Sequence, residues 1–265
     1  MTKGSVCTMS RIKIAFFDID GTIIPIGTGK VPPRAEETLF ALQKAGILVC
    51  IATGRGPMTL PHFPRFRFDV HLTFNGSLCY NDREEIYSNP LAHDEVMQVL
   101  ANTQKMGRPI SIAGRSYCVG NGSSPDLQQY FDIAHEELKI DPHFSEKISG
   151  EVYQIMLACT PEEYDEVLKG TVNTKPAAWW DRAIDLVPAD CGKGTGVRKI
   201  LEYYGFSKDE AIAFGDGGND IEMFHEVGHS VAMGNAADNV KAEADAVCGS
   251  VDDYGACTYC ETYLL

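Results

Sequence analysis

The stretch FFDIDGT, residues 16–22, closes a short apolar run with two aspartates. The run itself, IKIAFF (Ile12–Phe17), is β-rich and apolar, as a central strand requires. Asp18 and Asp20 stand one residue apart, and in extended chain that spacing aims both carboxylates to one side. Two like charges beside a hydrophobic strand are unfavourable unless a cation or a shared proton relieves them. Gly21, free to take positive φ, marks a sharp turn directly afterwards. The stretch therefore reads as the carboxyl end of a buried strand whose charge something must compensate.

Outward from this strand the pattern is regular. A helix is expected over about 33–45, opened by Pro32-Pro33, and then a strand at 47–52 (ILVCIA). Thr53-Gly54-Arg55 ends that strand, and Pro57 suits the first turn of a further helix. A strand at 70–74 runs into Asn75-Gly76, a turn signal. Towards the C-terminus, strands at 184–187, 211–214 and 230–233 alternate with helices at 194–204, from about 219, and near 237–243. Such alternation predicts an α/β fold, a Rossmann-like doubly wound parallel sheet with helices on both faces. Residues 81–183 read differently, with helices at 93–106, 161–169 and near 125–138 and short strands at 110–113 and 152–158. They are expected to form a separate α+β unit inserted into the α/β core, which 11–80 and 184–265 make up.

Three strands of this core end in polar clusters: Asp18-Ile-Asp20-Gly, Thr53-Gly54-Arg55, and Gly215-Asp216-Gly-Gly-Asn219-Asp220. In doubly wound sheets, ligands bind beyond the carboxyl ends of the strands. A fourth piece, Gly192-Lys193-Gly194, opens a helix that could face the same crevice. Four carboxylates, Asp18, Asp20, Asp216 and Asp220, form an all-oxygen set suited to a hard cation such as Mg²⁺. Lys193 and the Thr53 hydroxyl supply a positive charge and a donor for phosphate oxygens. Phosphoryl transfer needs little beyond a nucleophile, an acid and a charge clamp. Gly54 and Asn219 fall at the same strand ends, and Arg55 either approaches the site or pairs with a core carboxylate.

Composition excludes several classes. Of 265 residues, 44% are hydrophobic and 23% charged, which fits a globular chain with a full core. The net charge of −14, with no basic block, argues against a nucleic-acid or anionic-membrane surface, and the strand-end clusters point instead to a small-molecule phosphate ester as partner. No stretch approaches the ~18 apolar residues of a membrane span. Nine cysteines, an odd number scattered singly apart from Cys257 and Cys260, read as reduced thiols, and a cytoplasmic location is expected. The lone CxxC is read as a helix-face or core pair. Trp179 and Trp180 are read as packing of the inserted unit, and Arg115 as a solvated loop residue or, alternatively, one that reaches a second anionic group of a substrate.

FFDIDGT, ATGR, GKGTGVRKIL and FGDGGNDIEM resemble, in order and spacing, the four motifs of the haloacid dehalogenase-like hydrolase superfamily. The tail from SVAMGNAADNV onward is similar to its Cof-type branch, mostly sugar-phosphate phosphatases. The resemblance implies a Mg²⁺-dependent phosphatase in which Asp18 forms an aspartyl-phosphate. It makes Asp20 the general acid and then the base, Thr53 a phosphate ligand, and Lys193 the group that orients Asp18 and offsets charge. It implies Mg²⁺ on the Asp18 carboxylate, the Asp20 backbone carbonyl and Asp216, with Asp220 in support and Asn219 near the phosphate. A cap covering the crevice is also implied. A sugar phosphomutase and a non-catalytic sensor of phosphorylated metabolites are the alternative functions.

Overall fold

The computed structural model describes residues 11–133, 136–180 and 182–265. The side chains of residues 178–180 and 183 lie outside that description, and with them the packing expected of Trp179 and Trp180. In chain order the regular elements begin with β1 (Ile14–Phe17), α1 (Pro33–Lys44), β2 (Leu48–Ala52), β3 (Val70–Thr73), β4 (Leu78–Asn81) and β5 (Glu85–Ser88). There follow α2 (His93–Lys105), β6 (Ser111–Ala113), β7 (Cys118–Gly120), α3 (Pro125–Ile133), α4 (Phe144–Lys147), β8 (Gln154–Leu157), α5 (Tyr164–Val167), β9 (Thr174–Trp180) and β10 (Ala183–Pro188). The chain closes with α6 (Lys193–Tyr204), β11 (Ala211–Gly215), α7 (Ile221–Phe224), β12 (His229–Ala232), α8 (Asp238–Ala242), β13 (Ala246–Val247) and α9 (Gly255–Tyr263).

Two compact units result. The first comprises residues 1–53, 61–87 and 192–265, of which 1–10 fall outside the description. Its sheet runs β13-β12-β11-β1-β2-β3-β4-β5. The strands from β13 to β3 pair in parallel, and β4 turns antiparallel to β3. The chain winds one way from β1 to β2 and β3 and the other way through β11 and β12, so the order reverses at β1, as a doubly wound sheet requires. Alternation sends Ile14, Phe16, Cys50, Leu72 and Ala213 to one face, where they pack on Val197, Ile200 and Leu201 of α6 and Met223 and Phe224 of α7. On the opposite face Phe17 stacks on Phe214 at 4.8 Å, and Tyr259 of α9 meets Phe214 edge-on at 5.7 Å. Cys257 and Cys260 are free thiols on α9, the second fully buried and the first half-buried. Pro57 opens a single 3-10 turn, not a longer helix.

The second unit comprises residues 54–60 and 88–191. Its five-stranded sheet runs β7-β6-β8-β10-β9, antiparallel in every recorded pair. Ile112, Ile155, Leu157, Ile184 and Leu186 form its apolar face against Val96 and Val99 of α2 and Val167 of α5. The strand at 184–187, expected in the core sheet, is β10 and belongs here. Its side chains explain why: Ile184 and Leu186 fill this second core, while Asp185 is buried on the other face with the Tyr130 hydroxyl donating to it at 2.5 Å. An apolar run gives no sign of which sheet it joins. The division accordingly lies at 87/88 and 191/192, beyond the expected 81 and 183. Arg115 is engaged by Glu151 at 2.9 Å and Ser88 at 3.2 Å. Among the described residues no helix is long and apolar enough to cross a membrane.

Leu72 sits fully buried on β3 in the first core. Truncation in Leu72→Ala should lower unfolding free energy by about 2–5 kcal/mol in urea, with an unchanged m-value; a loss below ~1 kcal/mol would show that the site collapses around the gap.

Candidate active site

β1 and β11 lie in parallel register with Phe17 opposite Phe214, and Asp18 N–H donates to the Phe214 carbonyl at 3.0 Å. Asp18 and Asp216 therefore leave adjacent strands at nearly the same level. Lys193 is the first residue of α6, and its side chain is fully buried. Its Nζ donates to Asp18 Oδ1 and to Asp220 Oδ1, both at 2.6 Å. Asp220, itself fully buried, accepts through Oδ2 from the backbone N–H groups of Asp216 (3.0 Å) and Gly217 (2.9 Å). One ammonium and one carboxylate thus fix the loop after β11 against the end of β1. Among the described residues no donor is recorded on Asp18 Oδ2.

Ligand oxygens of Asp18, Asp216 and Asp220 all lie within 4.8 Å of one another. Three carboxylates share one ammonium, and the charges register it. Burial first, then Asp220, pushes the Asp216 carboxyl up from an ordinary 3.8 to about 6. Burial also raises Asp18 well above the usual carboxylate range, with Asp220 and Asp216 adding to the rise and Lys193 opposing it. Burial would depress Lys193, but its two carboxylate partners outweigh that and hold it above its ordinary value. Excess negative charge on an all-oxygen donor set fits a hard divalent cation.

Asp20 is not in this group. The expectation of four converging carboxylates applied the two-residue period of a strand, but β1 ends at Phe17 and the chain turns. Asp20 is exposed. Gly21 takes φ +87°, and a Cβ there would stand 2.2 Å from Asp216 Oδ2, so only glycine lets the turn lie against that carboxylate. Thr53 is buried at the end of β2, its N–H on the Leu72 carbonyl at 2.9 Å and its carbonyl accepting from Asn75 N–H at 3.0 Å. Asn219 Nδ2 donates to Asn75 Oδ1 at 3.0 Å. Gly54 and Arg55 fall in the second unit, where Arg55 reaches Glu136 and the Thr59 carbonyl, each at 3.3 Å.

Sequence reasoning missed Thr22 and Asn235. The Thr22 hydroxyl donates to Asp216 Oδ1 at 3.0 Å. Asn235 Nδ2 donates to the Gly21 carbonyl at 2.8 Å and to Asp216 Oδ2 at 3.3 Å, and its Oδ1 accepts from Val251 N–H at 2.9 Å. Asn235 follows β12, so the strand-end rule that found Asp18 and Asp216 could have found it too. Asn75 was read only as a turn.

The model of the haloacid dehalogenase-like hydrolase family matches residues 15–259. The chain belongs to that family. It is similar to YkrA of Bacillus subtilis (strain 168), 29% identical over 246 residues, 92% of this chain and 94% of that one. It is similar also to the HMP-PP phosphatase of Klebsiella pneumoniae (strain 342), 27% identical over 250 residues and 87% of each chain. Among solved structures, the HAD subclass IIB sugar phosphatase BT4131 superposes with a TM-score of 0.84 at 29% identity, over 95% of this chain and 98% of that one. The chain is thus a phosphatase of this family.

The raised Asp216 carboxyl sets a pH dependence. A folded value of about 6 above an ordinary 3.8 means that the native state holds this proton more tightly than the unfolded chain. The stability from this group is therefore complete below about pH 4 and lost as pH rises through about 6. Metal-free protein should lose on the order of 2 kcal/mol across that window in denaturant titrations, and Mg²⁺ should restore it above pH 6. A shallower profile for Asp216→Asn, with the part due to the likewise raised Asp18 remaining, would tie the difference to this residue.

Proposed function

We propose that this phosphatase hydrolyses small phosphorylated metabolites, sugar phosphates among them, through an aspartyl-phosphate on Asp18 and with Mg²⁺. The observation that carries the reading is the asymmetry of Asp18. Lys193 fixes one of its oxygens, and no recorded donor from the described residues engages the other. A carboxylate oriented in this way is a nucleophile held for attack.

The first half-reaction forms the bond from Asp18 to phosphorus and breaks the ester P–O bond, while Asp20 gives a proton to the departing alkoxide. In the second, Asp20 takes a proton from water, and the resulting hydroxide attacks the phosphorus. Inorganic phosphate departs and the Asp18 carboxylate returns. Asp20 suits this exchange because it is exposed, while the buried carboxylates are committed to hydrogen bonds. Lys193 orients Asp18 and offsets charge developing on the phosphoryl oxygens. Thr53 and Asn219 are neutral donors to those oxygens, beside carboxylates that would repel them. Asp18, Asp216 and the Asp20 backbone carbonyl would hold the cation with Asp220 in support, and bound Mg²⁺ would supply positive charge to the phosphoryl group.

Two relatives support the substrate class by what they are called, an HMP-PP phosphatase and a sugar phosphatase. Among the described residues no disulfide joins the eight cysteines, which supports a cytoplasmic enzyme.

The test is phosphate release from p-nitrophenyl phosphate and a panel of sugar phosphates. Turnover should require Mg²⁺ and stop with chelator. Asp18→Asn should lose at least about 10³-fold and Asp20→Ala about 10²–10⁴-fold. Turnover that survives chelation or Asp18→Asn would sink the reading. Strict dependence on a sugar bisphosphate would favour a mutase, and Mg²⁺-dependent ester binding without release a sensor.

A further inference from the structure

The turn between β3 and β4 is more strained than its job of reversing the chain demands. Thr73 and Leu78 are paired across the hairpin, so the loop is four residues, Phe74–Ser77. Loops of that length are ordinarily built around a type I turn, which needs no run of left-handed residues. Here three consecutive residues have positive φ: Phe74 at 51°, Asn75 at 52° and Gly76 at 90°. Asparagine tolerates this region, but a fully buried phenylalanine there is an outlier. Backbone strain of this kind persists where the surroundings enforce it, and it gathers at functional sites.

The strained turn touches three pieces of the active site. Asn75 N–H donates to the Thr53 carbonyl at 3.0 Å. Gly76 lies against the start of α6, where a Cβ would be 2.3 Å from the Gly192 carbonyl, immediately before Lys193. Asn75 Oδ1 accepts from Asn219 Nδ2 at 3.0 Å. At its other end the Asn219 carboxamide packs over Gly217, where a Cβ would stand 2.5 Å from Asn219 Oδ1. An otherwise exposed carboxamide is thus held through its Nδ2, while Gly217 leaves room for its Oδ1.

We propose that Asn75 is a positioning residue: the strained turn presents its carboxamide to fix Asn219 as a neutral donor for the phosphoryl group. This rests on the phosphatase reading above. The logic is electrostatic. A phosphate ester beside Asp18, Asp216 and Asp220 needs donors without added negative charge, and a neutral amide held in advance needs no reordering when substrate arrives. The left-handed backbone places Asn75 between Thr53 and Asn219. A type I turn would release that carboxamide.

The experiment compares wild type with Asn75→Gly, Asn75→Ala, Asn219→Ala and Asn75→Gly/Asn219→Ala. Melting temperature is read beside kcat and KM for p-nitrophenyl phosphate with Mg²⁺. Glycine accepts φ of 52° and alanine does not, so Asn75→Gly should melt several degrees above Asn75→Ala. Both should nevertheless lose about the same tenfold in kcat/KM, because activity follows the carboxamide and stability follows the backbone. The double variant should be no worse than Asn219→Ala, since both changes break one contact. Wild-type kcat in Asn75→Gly, activity ranked by melting temperature, or multiplying losses would overturn the proposal. Absence of turnover in wild type would instead be a failure of the phosphatase reading. The Asn75–Asn219 coupling would then be read from denaturant unfolding of wild type, Asn75→Gly, Asn219→Ala and the double variant, and strict additivity there would overturn the positioning role.

Discussion

A single buried ammonium organises this protein. Lys193 has no exposed side-chain surface, and such a charge is tolerated only when paired and fully hydrogen-bonded. Asp18 and Asp220 each approach it at 2.6 Å, one from the end of β1 and one from the loop after β11. The pairing joins the α6 N-terminus to two neighbouring strand ends, and Asp220 extends it by gathering the Asp216 and Gly217 N–H groups. The ammonium does not neutralise the cluster, because three carboxylates share it. The remaining negative charge fits the cluster to a cation, and burial, with Asp220 adding to it, keeps Asp216 near 6 rather than 3.8. Stability of the metal-free site and readiness for a cation are therefore opposed at neutral pH.

Around that charge the fold places close-packed turns in place of further charges. Gly21 lies against the Asp216 carboxylate, Thr22 and Asn235 hold that carboxylate by its two oxygens, and the strained turn at 74–76 braces Thr53, α6 and Asn219. Every added donor here is neutral. A second lysine would compete for the same oxygens that a cation and a phosphate must share, whereas hydroxyl and amide groups orient them at little electrostatic cost.

How much of this was legible in the sequence depended on how local the signal was. Asp18, Lys193, Asp216 and Asp220 could be placed together because each stands at a strand end or a helix start, and the doubly wound sheet converges those ends. The Asp20 carboxylate stands outside the three-carboxylate group because the alternation valid within β1 does not carry past Phe17 into the turn. The strand at 184–187 was assigned to the wrong sheet because Ile184 and Leu186 would suit either core. Arg55 was uncertain in the sequence and is held by Glu136 in the structure. Asn75, Thr22 and Asn235 act through contacts 144, 194 and 19 residues away, and Asn-Gly reads as an ordinary turn until its partner Asn219 is in view.

The most direct test is to look for the covalent intermediate itself. Enzyme mixed with substrate and Mg²⁺ would be quenched in acid within milliseconds and reduced with borohydride, and the peptide containing residues 16–22 read by mass spectrometry. The account predicts reduction of an acyl phosphate at Asp18, converting that residue to homoserine, with no such change when chelator is present. Normal turnover with Asp18 unmodified, or modification at another carboxylate, would contradict it.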